Sequence, residues 1–448
     1  MAPDDESGRV DEERRRPTDI PGTASAQTDA DTPMDDELPL EGVPPELTGS
    51  LAEYARSIGK RIRSGESGVL PVLGGLILLV IVFQVQDSVF LSSGNLVNLL
   101  VQGSVFVLLG MAEIWVLVLG EIDLSVGFVA GVGATITAIL STTHGLPWWV
   151  AILAGVAATA AIGAVWGTLV IQLRLPSFVV TLAGLLGMEG VLLYLVNGNG
   201  TGGTIRITDP VLNDLANGNM STTAGWVVMI ASVAAFGTVT FLRDRHRRVS
   251  GLVAPPVAVS ILKIVVLAAA GVALVLVCNT NRGALIPVEG VPYVVLIVLG
   301  VLAVWTFLLG RTRFGRYLYA IGNNAEAARR AGISLGWNKL WAFTLTGLTA
   351  GIAGVVYASR LGSISSNIDG GTLVLYAVAS AVISGASLFG GRGKMVYALL
   401  GGLVIATIYN GMGLLGLAAS YQYMVTALVL LAAVTIDSLA RRGRTAGE

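Results

Sequence analysis

The chain has little with which to hold a metal or close a disulfide: 448 residues include one cysteine, Cys278, and two histidines. A lone thiol excludes both an intrachain disulfide framework and a cysteine metal cluster. His144 and His246 fall in separate loops without acidic or thiol company at ligand spacing, so both read as solvated residues. Charge is scarce as well. Asp, Glu, Lys and Arg make up 13% of the chain, whereas soluble domains carry about 25%. That scarcity excludes an ordinary soluble domain, and no nucleic-acid partner is expected.

What is present is apolar. The chain is 54% hydrophobic and holds 57 glycines. Runs of about 20 apolar residues, rising 1.5 Å each, suffice to cross the hydrocarbon of a bilayer. Helices are predicted near 69–86, 96–119, 124–141, 148–173, 177–196, 225–242, 257–278, 292–310, 340–358, 371–389, 395–417 and 421–440. The expected fold class is therefore all-α: a polytopic protein of the lipid bilayer with about 12 transmembrane helices, and 10 if two glycine-rich junctions are breaks within spans. Residues 1–65 differ in kind. The first fifty carry 14 Asp and Glu against 4 Arg, 7 of the 15 prolines and no aromatic residue. Such a segment buries too little apolar surface to offset its ordering entropy, and it is expected to be a disordered acidic cytoplasmic tail.

Basic residues orient the spans. With an inside start, 16 basic residues of the later loops fall inside, in runs such as Arg243–Arg248 and Arg311–Lys339. Only Arg206, Arg282 and Arg360 fall outside. Positive residues stay with the cytoplasmic side, so both termini are expected there. The transmembrane body then covers 66–440, with a cytoplasmic loop at 311–339 and a short cytoplasmic C-terminus at 441–448.

Two junctions, 120–124 and 388–394, are short and glycine-rich. Non-helical backbone at membrane depth persists only inside protein or along a wet path. The segment Glu121-Ile122-Asp123-Leu124-Ser125-Val126-Gly127 sets two carboxylates and a hydroxyl between apolar runs. Buried carboxylates are costly and read first as functional. The alternatives are that Asp123 caps the next helix and that Glu121 sits at the cytoplasmic interface. Gly127/Gly131, Gly163/Gly167 and Gly347/Gly351 are small-xxx-small pairs suited to close helix packing. Glu189, inside a span, is expected to face protein or water. Ser380, Ser384, Thr407, Tyr409 and Asn410 offer hydroxyl, amide and aromatic contacts for a neutral polyol, or hydrogen bonds between helices.

The loop from Arg311 to Ile333 reads RTRFGRYLYAIGNNAEAARRAGI. It is Arg-rich and made of good helix formers, as an ordinary inside loop would be. Its Glu326-Ala327-Ala328-x-x-x-Gly332 spacing resembles the coupling loop of bacterial ABC importer permeases. Residues 385–394, GASLFGGRGK, do not make a phosphate loop. No glycine stands five positions before Gly393, and Met395 replaces the magnesium-binding Ser or Thr. This chain is therefore not expected to hydrolyse ATP by itself or to hold a cofactor; if the machine uses ATP, another subunit supplies it.

EIDLSVG at 121–127, LPSFVVTLAG at 175–184, FGRYLYAIGNNAEAARRAGI at 314–333 and ISGASLFGGRGK at 383–394 occur in this order. Together they resemble the bacterial ribose- and xylose-type ABC sugar permeases over roughly residues 70–440. The stretch RDRHRRVSGL at 243–252 resembles the xylose branch. The resemblance implies a transport subunit, not an enzyme, of an ATP-driven monosaccharide importer in the bacterial inner membrane, with D-xylose as cargo. Its implied partners are an ABC ATPase, an extracytoplasmic sugar-binding protein and a second copy of itself. Asn323, Glu326, Ala327, Ala328 and Gly332 would couple to the ATPase. Glu121, Asp123, Ser125, Gly127 and Asn410 are the candidates for the translocation path. Ribose, another sugar or another small solute remains the alternative cargo, and an ion-driven secondary transporter the alternative class.

Overall fold

The computed structural model describes residues 69–251, 255–283, 286–429, 431 and 435, all within one compact unit, 45–448. The expected tail at 1–65, the terminus at 441–448 and much of the twelfth expected span lie outside these residues.

The chain opens with α1 (Val69–Gln86) and α2 (Ser93–Leu117), then α3 (Val126–Ala138), which ends in a π-helical turn, Ile139–Thr143. There follow α4 (Trp148–Gln172), α5 (Ser177–Asn199), β1 (Thr204–Arg206), α6 (Pro210–Asn217), α7 (Thr222–Val249), α8 (Val257–Asn279) and α9 (Tyr293–Arg311). After them come α10 (Arg313–Asn323), α11 (Ala325–Arg330), α12 (Leu335–Leu361), β2 (Ser363–Ser365), α13 (Gly370–Ile383) and α14 (Met395–Leu414). Residues 419–429 are helical again. Among the described residues, nine helices are long and apolar enough to cross a membrane, and 71–86 and Gly370–Ile383 are shorter apolar helices.

Local sequence sets the starts. Pro147, Pro176, Pro256 and Pro292 each stand at the N-cap of a long helix, where a missing N–H costs nothing. Ser92, Ser221 and Ser334 cap α2, α7 and α12 by accepting the N–H three residues on, at 3.2–3.4 Å.

Burial separates centre from periphery. In α2, 83% of the apolar window is inside the structure, against 11% in α7 and in α8. The core runs along α2, α3, α12, α13 and α14 and includes the Trp115–Trp305 edge-to-face pair. The α4–α12 contact follows the glycine spacing. A Cβ on Gly163 or Gly347 would lie about van der Waals distance or less from the opposite glycine Cα (3.3 and 3.2 Å) and would strike a facing carbonyl. The helices touch backbone to backbone, as small-xxx-small pairs allow.

One correction to the all-α expectation is small. β1 and β2 pair antiparallel, Thr204↔Ser365, Ile205↔Ile364 and Arg206↔Ser363. Ile205 and Ile364 are buried, and this alternation makes a two-stranded ribbon out of two three-residue pieces between spans. Ser359 ties α6 beside it, accepting from Ala216 N at 2.9 Å and donating to Asn213 O at 3.0 Å.

Candidate coupling surface and translocation elements

The loop after α9 folds into two short helices with a defined stop. Thr312 caps α10 by accepting from Gly315 N, and Asn324 caps α11 by accepting from Ala327 N at 2.9 Å. At the other end Gly332 takes φ +79°. Its N–H bonds Arg329 O, and Ile333 N–H bonds Ala328 O, each at 3.0 Å. That pairing is a Schellman stop, for which glycine is the residue of choice. The EAA-x-x-x-G spacing is thus the length of one capped helix. Ala328 points inward, while Asn323, Glu326 and Ala327 are exposed. Glu326 accepts from Arg329 at 2.9 and 3.0 Å and from Arg330 at 3.1 Å. These guanidinium hydrogen bonds hold its carboxyl below the usual carboxylate range.

Beneath α10, three loops close on one another. A Cβ on Gly322 would strike the Val118 carbonyl and the Gly391 N–H. Gly391 N donates to Val118 O at 2.9 Å, and the Tyr319 hydroxyl donates to Gly393 O. Burial pushes that phenol up to about 12, so it remains a donor. The two junctions singled out in sequence, 120–124 and 388–394, therefore meet under α10. Gly385, Gly390 and Gly391 all have positive φ, which ends α13 six residues before the expected 389.

From Val118 the chain turns back. Gly120 takes φ +78°, and Glu121 forms an ion pair with Lys339 near the start of α12. Ile122 accepts from Thr181 Oγ1 at 3.2 Å, and its N–H bonds Ser177 Oγ at 3.3 Å. Asp123 Oδ1 accepts from Ser125 N at 2.9 Å and Ser125 Oγ at 2.6 Å. Asp123 and Ser125 are both buried. Asp123 thus organises the turn entering α3, while Ser125 stands at the N-cap position without a side-chain cap bond.

The start of α3 lies inside the bundle. Gly184, beside Ser125, is about 10 Å along α5 from Ser177 at 1.5 Å per residue. Gly354, whose Cβ would strike Ala130 O, is about 28 Å along α12 from Leu335. There α3 meets the start of α13: a Cβ on Gly127 would run into the Gly370 carbonyl, and one on Gly370 would lie 2.6 Å from the Phe128 ring. Two helix N-termini therefore converge within the protein, the arrangement of broken helices around solute sites.

Sequence reasoning missed Glu113. It is fully buried on α2, with the acid Asp123 and its backbone as neighbours. The signal was a single acid in the apolar run VLLGMAEIWVL. Asn410 does not join this group. It lies far along α14, accepting from Asn95 Nδ2 at 2.8 Å and donating to Gln102 Oε1 at 3.4 Å. Ser380 donates within its own helix, to Tyr376 O. Glu189 is half-buried on α5.

Residues 95–434 match the family described as branched-chain amino acid transport system / permease component. The chain is 32% identical over 375 residues to the xylose transport system permease protein XylH of Escherichia coli strain K12, covering 84% of this chain and 92% of that one. It is 35% identical over 354 residues to XylH of Haemophilus influenzae, covering 79% and 91%. The ribose import permease protein RbsC of Escherichia coli strain K12 is 31% identical over 364 residues, covering 81% and 91%. No solved structure matches. A multi-pass helical body, a capped EAA-x-x-x-G helix and these relatives agree: the chain belongs to the family of ABC importer permeases, membrane transport subunits that are not themselves enzymes.

Proposed function

We propose that this chain forms the translocation path of an ATP-driven importer for D-xylose. The observation that carries the coupling part is the exposed α11, capped at Asn324 and stopped at Gly332, directly following α10, whose Tyr319 and Gly322 lie against the junction of the two broken segments. A separate ATPase, holding ATP and magnesium, docks on Asn323, Glu326, Ala327 and Gly332, while the buried Ala328, expected from sequence to join them, anchors α11 to the body instead. Its closure displaces α10 and α11. That displacement passes through the Gly391–Val118 contact and the Glu121–Lys339 ion pair to the segment Glu121–Gly127 and the convergent starts of α3 and α13. A second copy completes the path, and an extracytoplasmic sugar-binding protein delivers the cargo at the opposite end. Both termini lie in the cytoplasm.

The relatives with xylose and ribose in their names favour a sugar over the amino acids in the family's description. The test is uptake of labelled D-xylose in cells with and without the gene, competed by unlabelled ribose, arabinose and galactose. It is run beside Glu326→Lys with ATPase co-purification. Gene-dependent uptake competed only by xylose is expected, with uptake and co-purification both lost in a folded Glu326→Lys. Unchanged uptake without the gene, in cells lacking another xylose carrier, discards xylose. Normal co-purification and uptake in Glu326→Lys discard the coupling assignment.

A further inference from the structure

Far from the coupling helices, between α2, α14 and the helical residues after 419, lies a cavity of about 360 Å³. Asn98, Gln102, Tyr409, Asn410 and Gln422 line it, and none of its lining residues is charged. Gln102 stands about 24 Å along α2 from Val118, at 1.5 Å per residue, so the site is separate from the clasped loops. Ligand cavities run from about 300 to 1,000 Å³ and are mostly apolar, with a few polar groups that set orientation. This one has four carboxamides and a phenol.

Bracing the helices does not require that many. Asn95 and Asn410, both buried, already join α2 to α14 at 2.8 Å, and Asn95 also holds Phe90 O at 2.9 Å. Beyond that brace, Asn98, the Gln102 amide N–H groups and the Tyr409 hydroxyl make no hydrogen bond among the described residues. In a span, polar groups face protein or a water-filled space, because hydrocarbon leaves them unsatisfied. Each carboxamide offers two donors and one acceptor. That set matches adjacent hydroxyls, which donate and accept side by side. Tyr409 adds a flat ring steadied edge-on by Phe106 at 5.7 Å and Tyr376 at 6.1 Å. No charged side chain stands on the lining itself, and Arg360 lies within electrostatic range of Tyr409.

We propose that this cavity binds a neutral polyhydroxylated solute, with Asn98 and Gln102 reading its hydroxyls. The site rests on the sugar-importer reading and specifies where its cargo is recognised. The test uses the complete transporter with its ATPase and binding protein in proteoliposomes, with labelled D-xylose or D-ribose at subsaturating concentration. Asn98→Leu and Gln102→Leu are each expected to lower uptake about tenfold, the loss of about 1.4 kcal/mol of recognition. Sugar-independent ATP hydrolysis should stay unchanged. Uptake within about twofold of wild type in both variants overturns the site.

A second arm does not depend on transport. Gly413, on the same lining, is exposed with open space beside it, so Gly413→Cys should be modified by a membrane-impermeant maleimide while Cys278 stays buried. Either pentose should slow this labelling several-fold, and leucine should not. This arm decides if Gln102→Leu fails to assemble. If wild type moves neither pentose, the importer reading fails by itself. Protection of the Gly413→Cys variant from the maleimide by a pentose then keeps the cavity site, and equal labelling with and without sugar overturns it.

Discussion

The α4–α12 contact and the α3–α13 contact are both closed by glycine, yet they are built for different ends. In the first, two unbroken helices of 25 and 27 residues run together, and Gly163, Gly347 and Gly351 bring backbone against backbone for three turns. In the second, only the N-terminal turns meet, at Gly127 and Gly370, and each helix is preceded by non-helical chain. A continuous glycine seam resists separation because packed interiors have no spare volume. A junction of helix ends can shift by changing a few dihedrals in the adjoining loops. The contacts beneath α10 reach the second kind of region: Gly391 binds Val118, and Lys339 pairs with Glu121. The seam thus has the character of a frame, and the broken segments that of a moving part.

The largest effect should come from breaking the frame. Gly347→Leu places a side chain on the Thr159 carbonyl, and overpacking of this kind costs about 1–3 kcal/mol or more. We expect a marked fall in thermal midpoint in detergent and little monodisperse protein. Gly300→Ala, on α9 with open space around the added methyl, should be neutral or slightly stabilising. Equal stability of the two variants would remove the distinction between seam and surface.

Asp123→Asn addresses the moving part next. Asparagine can still accept from Ser125 N and Oγ, so the turn into α3 survives while the acid beside Glu113 is removed. Uptake is expected to fall on the order of tenfold, ~1.4 kcal/mol, with the thermal midpoint unchanged or raised. Intact uptake would leave turn formation as the whole role of Asp123.

How much of this was legible follows from the range over which each signal acts. The glycine seam was readable because i, i+4 spacing on one helix carries it. Likewise the EAA-x-x-x-G motif marks the length of a capped helix, and Asn324 and Gly332 are strong local start and stop signals. Length misled for α13, whose apolar run continues past Ile383 while Gly385, Gly390 and Gly391 turn the chain. The β1–β2 ribbon was not legible, because three residues carry no period and their partners lie more than 150 positions away. Asn410 could not be placed by sequence either. Its partner Asn95 is 315 residues distant, and the pair sets it apart from the Glu121–Gly127 segment.

A smaller effect tests the link between frame and moving part. The Glu121–Lys339 pair is partly buried, joining the turn after α2 to the N-terminal part of α12. In a double-mutant cycle with Glu121→Gln and Lys339→Met, uptake should show a coupling of about 1 kcal/mol, within the range of contacting pairs. Additive losses would mean that the ion pair transmits nothing and that the loop contacts at Gly391 suffice.

The smallest effect concerns acid, and it separates the coupling helix from the interior. Glu326 is held below the ordinary carboxylate value, about 4.3, first by Arg329 and then by Arg330. A lowered folded value means that the contribution of its ionised form is complete above the ordinary value. It is lost only as pH falls through the lowered one. ATPase docking should therefore stay level from neutral pH down through mild acid, and the deficit of Glu326→Gln should be the same across that range. Co-purification measured against pH checks this. A docking loss that begins in mild acid in wild type but not in Glu326→Gln would show that the arginines do not hold the carboxylate as described. The same loss in both proteins would place the acid-sensitive group elsewhere, in the moving part and not on α11.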